Sequence, residues 1–206
     1  MHPRASSFIM CKYFQLTLVI FSINLNCATF VFYPDNFEKI SDKAISPFSR
    51  KTIGVNVLYK FFDDDVEETP VLNYRKEKEK MIKDSIVKVG YVVIDANDHS
   101  NLADLYCDVI YTNKKYPHGG LNVISGFTLL FLPSEFSTNV IIDFTFKDKN
   151  GKSLKSYRRS AETFNWLGWL FLPFMPFYFP TSEIDTMNFQ LVKSILKEAV
   201  KDNVLK

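Results

Sequence analysis

From residue 52 to 61 apolar and polar positions alternate, with Ile53, Val55, Val57, Tyr59 and Phe61 at every second place. Successive side chains of an extended chain point to opposite faces, so this pattern predicts a strand with one buried side. Asp63, Asp64 and Asp65 end it as a charged turn between elements. The period then changes. Over 73–89 the early turns carry Arg75, Lys76, Glu77, Lys78, Glu79 and Lys80, and Met81, Ile82, Ile86 and Val89 follow as an apolar stripe. Those spacings predict an α-helix, and Gly90 is placed to stop it. Residues 91–95 read as a short buried strand.

Four more strands are expected, at 105–113, 123–131, 137–147 and 152–163. The third is the clearest: Val140, Ile142, Phe144 and Phe146 share one face, and Ile141, Asp143, Thr145 and Lys147 the other. Asp148-Lys149-Asn150-Gly151 joins the last two as a hairpin, because Asn and Gly both tolerate positive φ. A final helix follows Pro180, with Ser182 as its cap and Asp185 favouring the N-terminus. Its buried stripe is Ile184, Met187, Leu191, Ile195 and Ala199, widened by Val192, Leu196 and Val200. The order predicts an α+β domain: a mostly antiparallel sheet of about five or six strands with two helices packed on one face.

The N-terminus has a different pattern. Arg4 and Lys12 precede a run from Phe14 to Leu25 that is almost wholly apolar. A basic start and about a dozen apolar residues are the layout of a secretory signal peptide. Cys27 stands where the run ends, after Asn24, Leu25 and Asn26. A Cys there suggests lipoprotein processing, in which the thiol is acylated and becomes the new N-terminus. Two other readings stay open. No charge occurs from Tyr13 to Pro34, 22 positions, which suffices for an uncleaved membrane anchor across ~30 Å of hydrocarbon. A plain signal peptide cut near Ala28 is the other. The expected organisation is a signal peptide over 1–26, a lipidated Cys and tether over 27–50, and one domain over 51–206. Residues 28–50 have no clear period and read as a linker or an arm packed on the surface.

Charge narrows the partners. Setting aside Arg4 and Lys12 leaves 23 of the 25 basic residues against 23 acidic ones. A neutral domain with no basic stripe is not expected to bind nucleic acid. Of the three cysteines, Cys11 lies in the leader and Cys107 in an alternating run that suits a buried structural thiol. A Cys27–Cys107 disulfide stays open. There is no Cys-x-x-Cys.

No motif names a reaction, and neither a cofactor nor a bound metal is expected. His99 and His118 lack ligand-spaced partners and read as solvated loop residues. The run from Asp95 to Ser100 superficially resembles a calcium loop, but Ser100 stands where Gly is needed and Tyr106 where a bidentate Glu is needed. Seven scattered glycines make no phosphate-binding loop, and no nucleophile elbow occurs.

The other informative segment is aromatic. Between Glu162 and Glu183 lie 20 residues without charge, including Trp166, Trp169, Phe174 and Phe177. It suits a membrane span, although Pro173, Pro176 and Pro180 would break a helix there. It equally suits a buried strand and connection, or an exposed patch touching lipid or a protein partner. The last two readings can share the segment, with Trp166 and Leu170 inward and Phe174 and Phe177 outward.

From Gly126 onward the chain resembles a loose group of uncharacterised bacterial envelope lipoproteins. The resemblance is carried by Leu129-Leu130-Phe131-Leu132-Pro133, Asp148-Lys149-Asn150-Gly151-Lys152, Tyr157, and Trp166 through Pro173-Phe174-Met175-Pro176-Phe177. The leader likewise resembles the relaxed lipobox of spirochaete-type lipoproteins. The resemblance implies a lipid-tethered α+β envelope domain and no activity. Three functions are therefore expected to compete. The first is a non-catalytic binding or assembly module, held at the bacterial outer membrane through acylated Cys27, with Trp166, Trp169, Phe174 and Phe177 as membrane or partner contacts. Its partners would be the membrane itself and another envelope protein. The second is an integral membrane protein anchored by residues 13–34. The third is a small-ligand carrier or enzyme whose site forms only in three dimensions.

Overall fold

The computed structural model describes residues 27–34, 37, 39–40, 52–69, 72–95, 103–117, 119–128, 131–168 and 180–205. The leader, most of the expected tether, His99, His118, Trp169, Phe174 and Phe177 lie outside the described residues. The elements run β1 (Cys27–Phe32), β2 (Thr52–Asp63), β3 (Val66–Glu68), α1 (Leu72–Lys88), β4 (Val92–Asp95), β5 (Leu105–Pro117), α2 (Gly119–Phe127), β6 (Ser134–Lys147), β7 (Ser153–Leu167) and α3 (Pro180–Lys201).

The strands form one sheet in the order β1-β7-β6-β5-β2-β3, with β4 also paired to β2. β2 runs parallel to β4 and β5, and every other pairing is antiparallel. The α+β architecture is therefore as the patterns predict. Its parallel part comes from α1, because a strand returning after a helical crossover lies parallel to the strand it left. α1 and α3 cover one face of the sheet. Ile82 and Ile86 from α1, and Met187, Leu191, Ile195 and Leu196 from α3, close over Val55, Val109, Ile142 and Phe144 in a single core. The opposite face is polar and open: Arg158 pairs with Asp143 at 2.9 Å, and Lys147 pairs with Asp108. Cys107 is a buried free thiol.

The turns obey backbone sterics. Asp64 (φ 50°) and Asp65 (φ 64°) form a two-residue loop between β2 and β3 with both residues left-handed, the geometry that matches the twist of a hairpin. In the β6–β7 connection Gly151 takes φ 79° and Asn150 stays right-handed. Asp148 Oδ1 accepts from the backbone N–H groups of Asn150 and Lys152, both at 2.9 Å, and so closes that loop. Gly90 (φ 107°) ends α1, and Asn203 (φ 63°) comes after α3 in the left-handed conformation common at helix C-termini.

Four expectations are corrected. The strand expected over 123–131 is replaced over its first part by a helix: α2 occupies Gly119–Phe127, and residues 129 and 130 lie outside the described residues. β5 and β6 pair directly with each other, from Tyr106↔Lys147 to Pro117↔Phe136, so no place between them remains for another strand. A segment with no sheet partner satisfies its backbone groups internally by coiling. Cys27–Phe32, expected as the start of the tether, is an edge strand paired with β7. β3 is a three-residue edge strand too short to show a period. α3 opens at Pro180, so Ser182 lies within its first turn; proline's fixed φ suits a helix start.

The end of α3 is fastened to β7. Lys155 Nζ and Tyr157 Oη donate to Asp202 Oδ2 at 2.7 and 2.9 Å, and Arg159 donates to Ser194 at 3.1 Å and pairs with Glu198. The hydrogen bond from Lys155, and then that from Tyr157, hold the Asp202 carboxyl below its ordinary range. A depressed folded value means the contribution is complete above the unfolded value of about 4 and disappears as pH falls through the folded one. Asp202→Asn is therefore expected to flatten the acid limb of the stability profile and to leave its neutral shape alone. Urea unfolding at a series of pH values measures this.

Candidate functional site

Cys27, the residue expected to carry lipid, is the first residue of β1 and pairs with Leu167 of β7. Leu167 in turn pairs with Ser134, the first residue of β6. Three strands thus align at one end of the sheet, with Cys27 at its edge. The residues just after Cys27 are firmly held. Ala28 and Thr29 are buried. Thr29 Oγ1 donates to Asn165 Oδ1 at 2.6 Å, and Asn165 Nδ2 donates to Thr163 Oγ1 at 3.2 Å. These side chains meet because Thr29 and Asn165 are register partners.

Trp166 pairs with Ala28 on one side and Glu135 on the other, and it is half-buried. The start of the aromatic stretch is strand and not membrane-spanning helix. Its first residues, 163–167, are extended and bonded on both sides, and α3 has begun by Pro180. No helix among the described residues is long and apolar enough to cross a membrane. Of the four expected contact residues, the structure describes Trp166 alone; Trp169, Phe174 and Phe177 lie outside the described residues, as does Leu170.

The same end of the sheet carries α2, where burial is inverted. Ser125 is its buried residue, and Leu121, Val123, Ile124 and Phe127 are exposed. Polar groups hold it down. Asn122 Oδ1 accepts from Ser134 Oγ at 2.5 Å and from the Glu135 N–H at 3.2 Å, and Ser125 Oγ donates to the Leu132 carbonyl at 2.7 Å.

Beneath the first turns of α1 lies a cavity of about 550 Å³, walled by Tyr59, Phe61, Tyr74 and Asn113, with Glu68 and Glu77 at its border. An adjoining cavity of about 300 Å³ shares Phe61, Tyr74 and Asn113 and adds Lys78, Lys115 and Tyr111. Tyr59 stacks on Tyr111 at 5.5 Å between centroids and meets Tyr74 edge-on at 5.9 Å. Buried Lys78 lies 4.9 Å from the Tyr74 ring centre and 3.4 Å from Glu77. Burial pushes the Tyr59 phenol up, Tyr74 and Glu77 add to the shift, and Asn113 opposes it. Burial likewise raises Tyr111. Both phenols stay neutral at any physiological pH. The Cys107 thiol is raised by burial and then by Asp108, which keeps it protonated and unreactive. Among the described residues, no group of three or more His, Cys, Asp or Glu side chains is placed to hold a metal ion.

The cavity was invisible in the sequence. Tyr59 reads there as an ordinary inward strand residue, and Asn113 as the end of a strand. Only the parallel register, which sets Tyr59 beside Tyr111 and Phe61 beside Asn113, brings them together.

The molecule is thus an open-faced α+β domain whose first strand begins at the candidate lipidation residue. No protein-family model and no curated protein matches it. Among solved structures it is similar to a minor lipoprotein from Acinetobacter baumannii, with 13% identity, 76% of this chain and 95% of that one covered, and a TM-score of 0.39. It is also similar to a PelC dodecamer from Paraburkholderia phytofirmans, with 11% identity, 83% and 95% covered, and a TM-score of 0.35. At these identities and scores neither likeness bears on what this chain does.

Two tyrosines separate paired from unpaired buried hydroxyls. Tyr111 Oη donates to Asn188 Oδ1 at 3.0 Å, whereas among the described residues no group lies at good hydrogen-bond geometry to Tyr59 Oη, Asn113 Oδ1 or Asn188 Nδ2. Tyr111→Phe would leave both polar ends of the buried Asn188 amide unpaired and is expected to cost about 1–3 kcal/mol. Tyr59→Phe removes a group that is already unpaired, so stability should hold or rise by up to ~1 kcal/mol. Urea denaturation of both variants tests the contrast.

Proposed function

We propose that this chain is a lipid-anchored protein of the bacterial envelope, acting as a binding or assembly module at the outer membrane. The observation that carries the reading is the place of Cys27: it directly follows the apolar run in the sequence, and it is a residue of β1 paired with Leu167 at one end of the sheet. A fatty chain on that residue would hang directly from the edge of the sheet. Each buried methylene contributes ~0.8 kcal/mol, and more than one acyl chain is needed for stable attachment, so we assign three chains to Cys27. The partners are then the membrane, through acylated Cys27, and another envelope protein.

The fold also weighs against the integral reading. A span needs about 20 residues in helical form. Of residues 13–34, Cys27–Phe32 are committed to a strand bonded to β7, which leaves a charge-free stretch of 14 residues, 13–26.

Radiolabelled palmitate in the native cell tests the anchor. The wild-type chain is expected to take up label and Cys27→Ser to lose it. Intact mass should show a mature chain that starts at Cys27. Label surviving Cys27→Ser, or a mature chain starting at any other residue, overturns the reading.

The cavity of about 550 Å³ favours a second reading, a carrier of a small ligand, because its volume and aromatic walls are those of small-molecule sites. Native mass spectrometry of the purified protein distinguishes the two. A dissociable small-molecule adduct of constant mass supports the carrier, and the acylated chain mass with no further adduct leaves the anchored module alone.

A further inference from the structure

We propose that α2, together with Phe131 and Leu132, forms an interfacial membrane-docking element, lying in the headgroup layer of the bilayer beside the acyl chains of Cys27. The inference rests on the lipid-anchored reading and adds the face by which the domain meets the membrane. Its basis is an apolar surface that the protein's own core does not use. Phe127 is 87% exposed, Phe131 76% and Val123 61%, and Leu121, Ile124 and Leu132 accompany them. No Asp, Glu, Lys or Arg occurs between Lys115 and Glu135. The contacts that hold the element in place are polar, through Asn122 and Ser125. A surface helix of a soluble domain turns its apolar stripe inward. This one turns its apolar side chains outward, as contiguous exposed patches do at interaction sites.

Position selects the occupant. Asn122 is bonded to Ser134, and Ser134 is separated from Cys27 by Leu167 alone. Two strand spacings amount to about 10 Å, so the acyl attachment and the apolar helix share one end of the sheet. The other end has the opposite character. The β6–β7 loop carries Asp148, Lys149 and Lys152, and its residues 149–152 are exposed. β6 has 14 residues, which puts that loop about 45 Å away. The corner of the sheet formed by β1, the start of β6 and α2 is therefore greasy beside the anchor, whereas the β2–β3 turn at the far corner of the same end (Asp63, Asp64, Asp65) and the β6–β7 loop at the other end are charged. A second copy of the chain suits the patch less well. A nine-residue helix presents roughly 14 Å by 10 Å, far below the ~800 Å² per partner of a stable protein interface.

The test uses the mature acylated protein in vesicles of phosphatidylethanolamine and phosphatidylglycerol. Phe127→Cys and, as the far-end control, Asn150→Cys are labelled with an environment-sensitive dye; Cys107 is buried and stays unlabelled. On vesicles the dye at position 127 is expected to shift to the blue. Its quenching by headgroup-proximal spin-labelled lipid should be about threefold stronger than at position 150. Equal, water-like emission and quenching at both positions overturns the proposal. So does shielding at 127 that depends on protein concentration and not on lipid, the signature of a second copy. N-terminal mass of the same preparation separates the two claims. An acylated chain without quenching sinks docking alone, and an unacylated chain that still shows quenching sinks the anchor alone.

Discussion

The pairing of Leu167 with Cys27 on one side and Ser134 on the other is the constraint on which the functional geometry depends. Strand register is stiff, because a slip by one residue turns every side chain to the opposite face. In β7 such a slip would put Tyr157, Ala161 and Thr163 on the solvent face and turn Phe164 toward the helices. The buried Thr29–Asn165 bond adds a second lock, since a displaced β1 would leave polar groups buried without partners. The two locks place the candidate lipidation residue, Trp166 and the base of α2 at one end of a rigid sheet.

Rigidity there comes from the packing behind it. α1 and α3 bury one face of the sheet, and the other face stays wet. A one-sided sheet supports clean alternation, which is why β5, β6 and much of β7 show it. Aromatic residues supply much of the buried volume: Phe144, Phe146 and Tyr157 form a continuous chain of ring contacts. Toward the end where β2 and β5 reach Phe61 and Asn113, α1 and the sheet diverge and the core opens into the two adjoining cavities. The phenols there are costly to bury, and the Tyr111 hydroxyl is bonded to Asn188.

The same end thus holds three features of different chemistry: an attachment residue at the edge, an outward apolar helix at the loop, and aromatic cavities under α1.

Much of this architecture was readable from residue patterns. Ile53 through Phe61 and Val140 through Phe146 identify their strands, because alternation reports a half-buried extended chain. Met187, Leu191 and Ile195 identify α3, because helical spacing reports a single buried stripe. The expectation of a leader ending before Cys27 rests on the same kind of information, a local pattern of charge and apolarity. Tertiary structure decided the rest. Val123 to Phe127 read as part of a strand by local pattern, yet they sit in a connection between two strands that bond to each other, and without a sheet partner they coil into α2. Ala28 and Thr29 are both buried, so β1 shows no period, and only its register with β7 makes it a strand. The walls of the cavities come from β2, β5 and α1, brought together by a parallel pairing that no local pattern contains. Local spacing records which face of an element is buried; which elements become neighbours is settled by long-range backbone bonding.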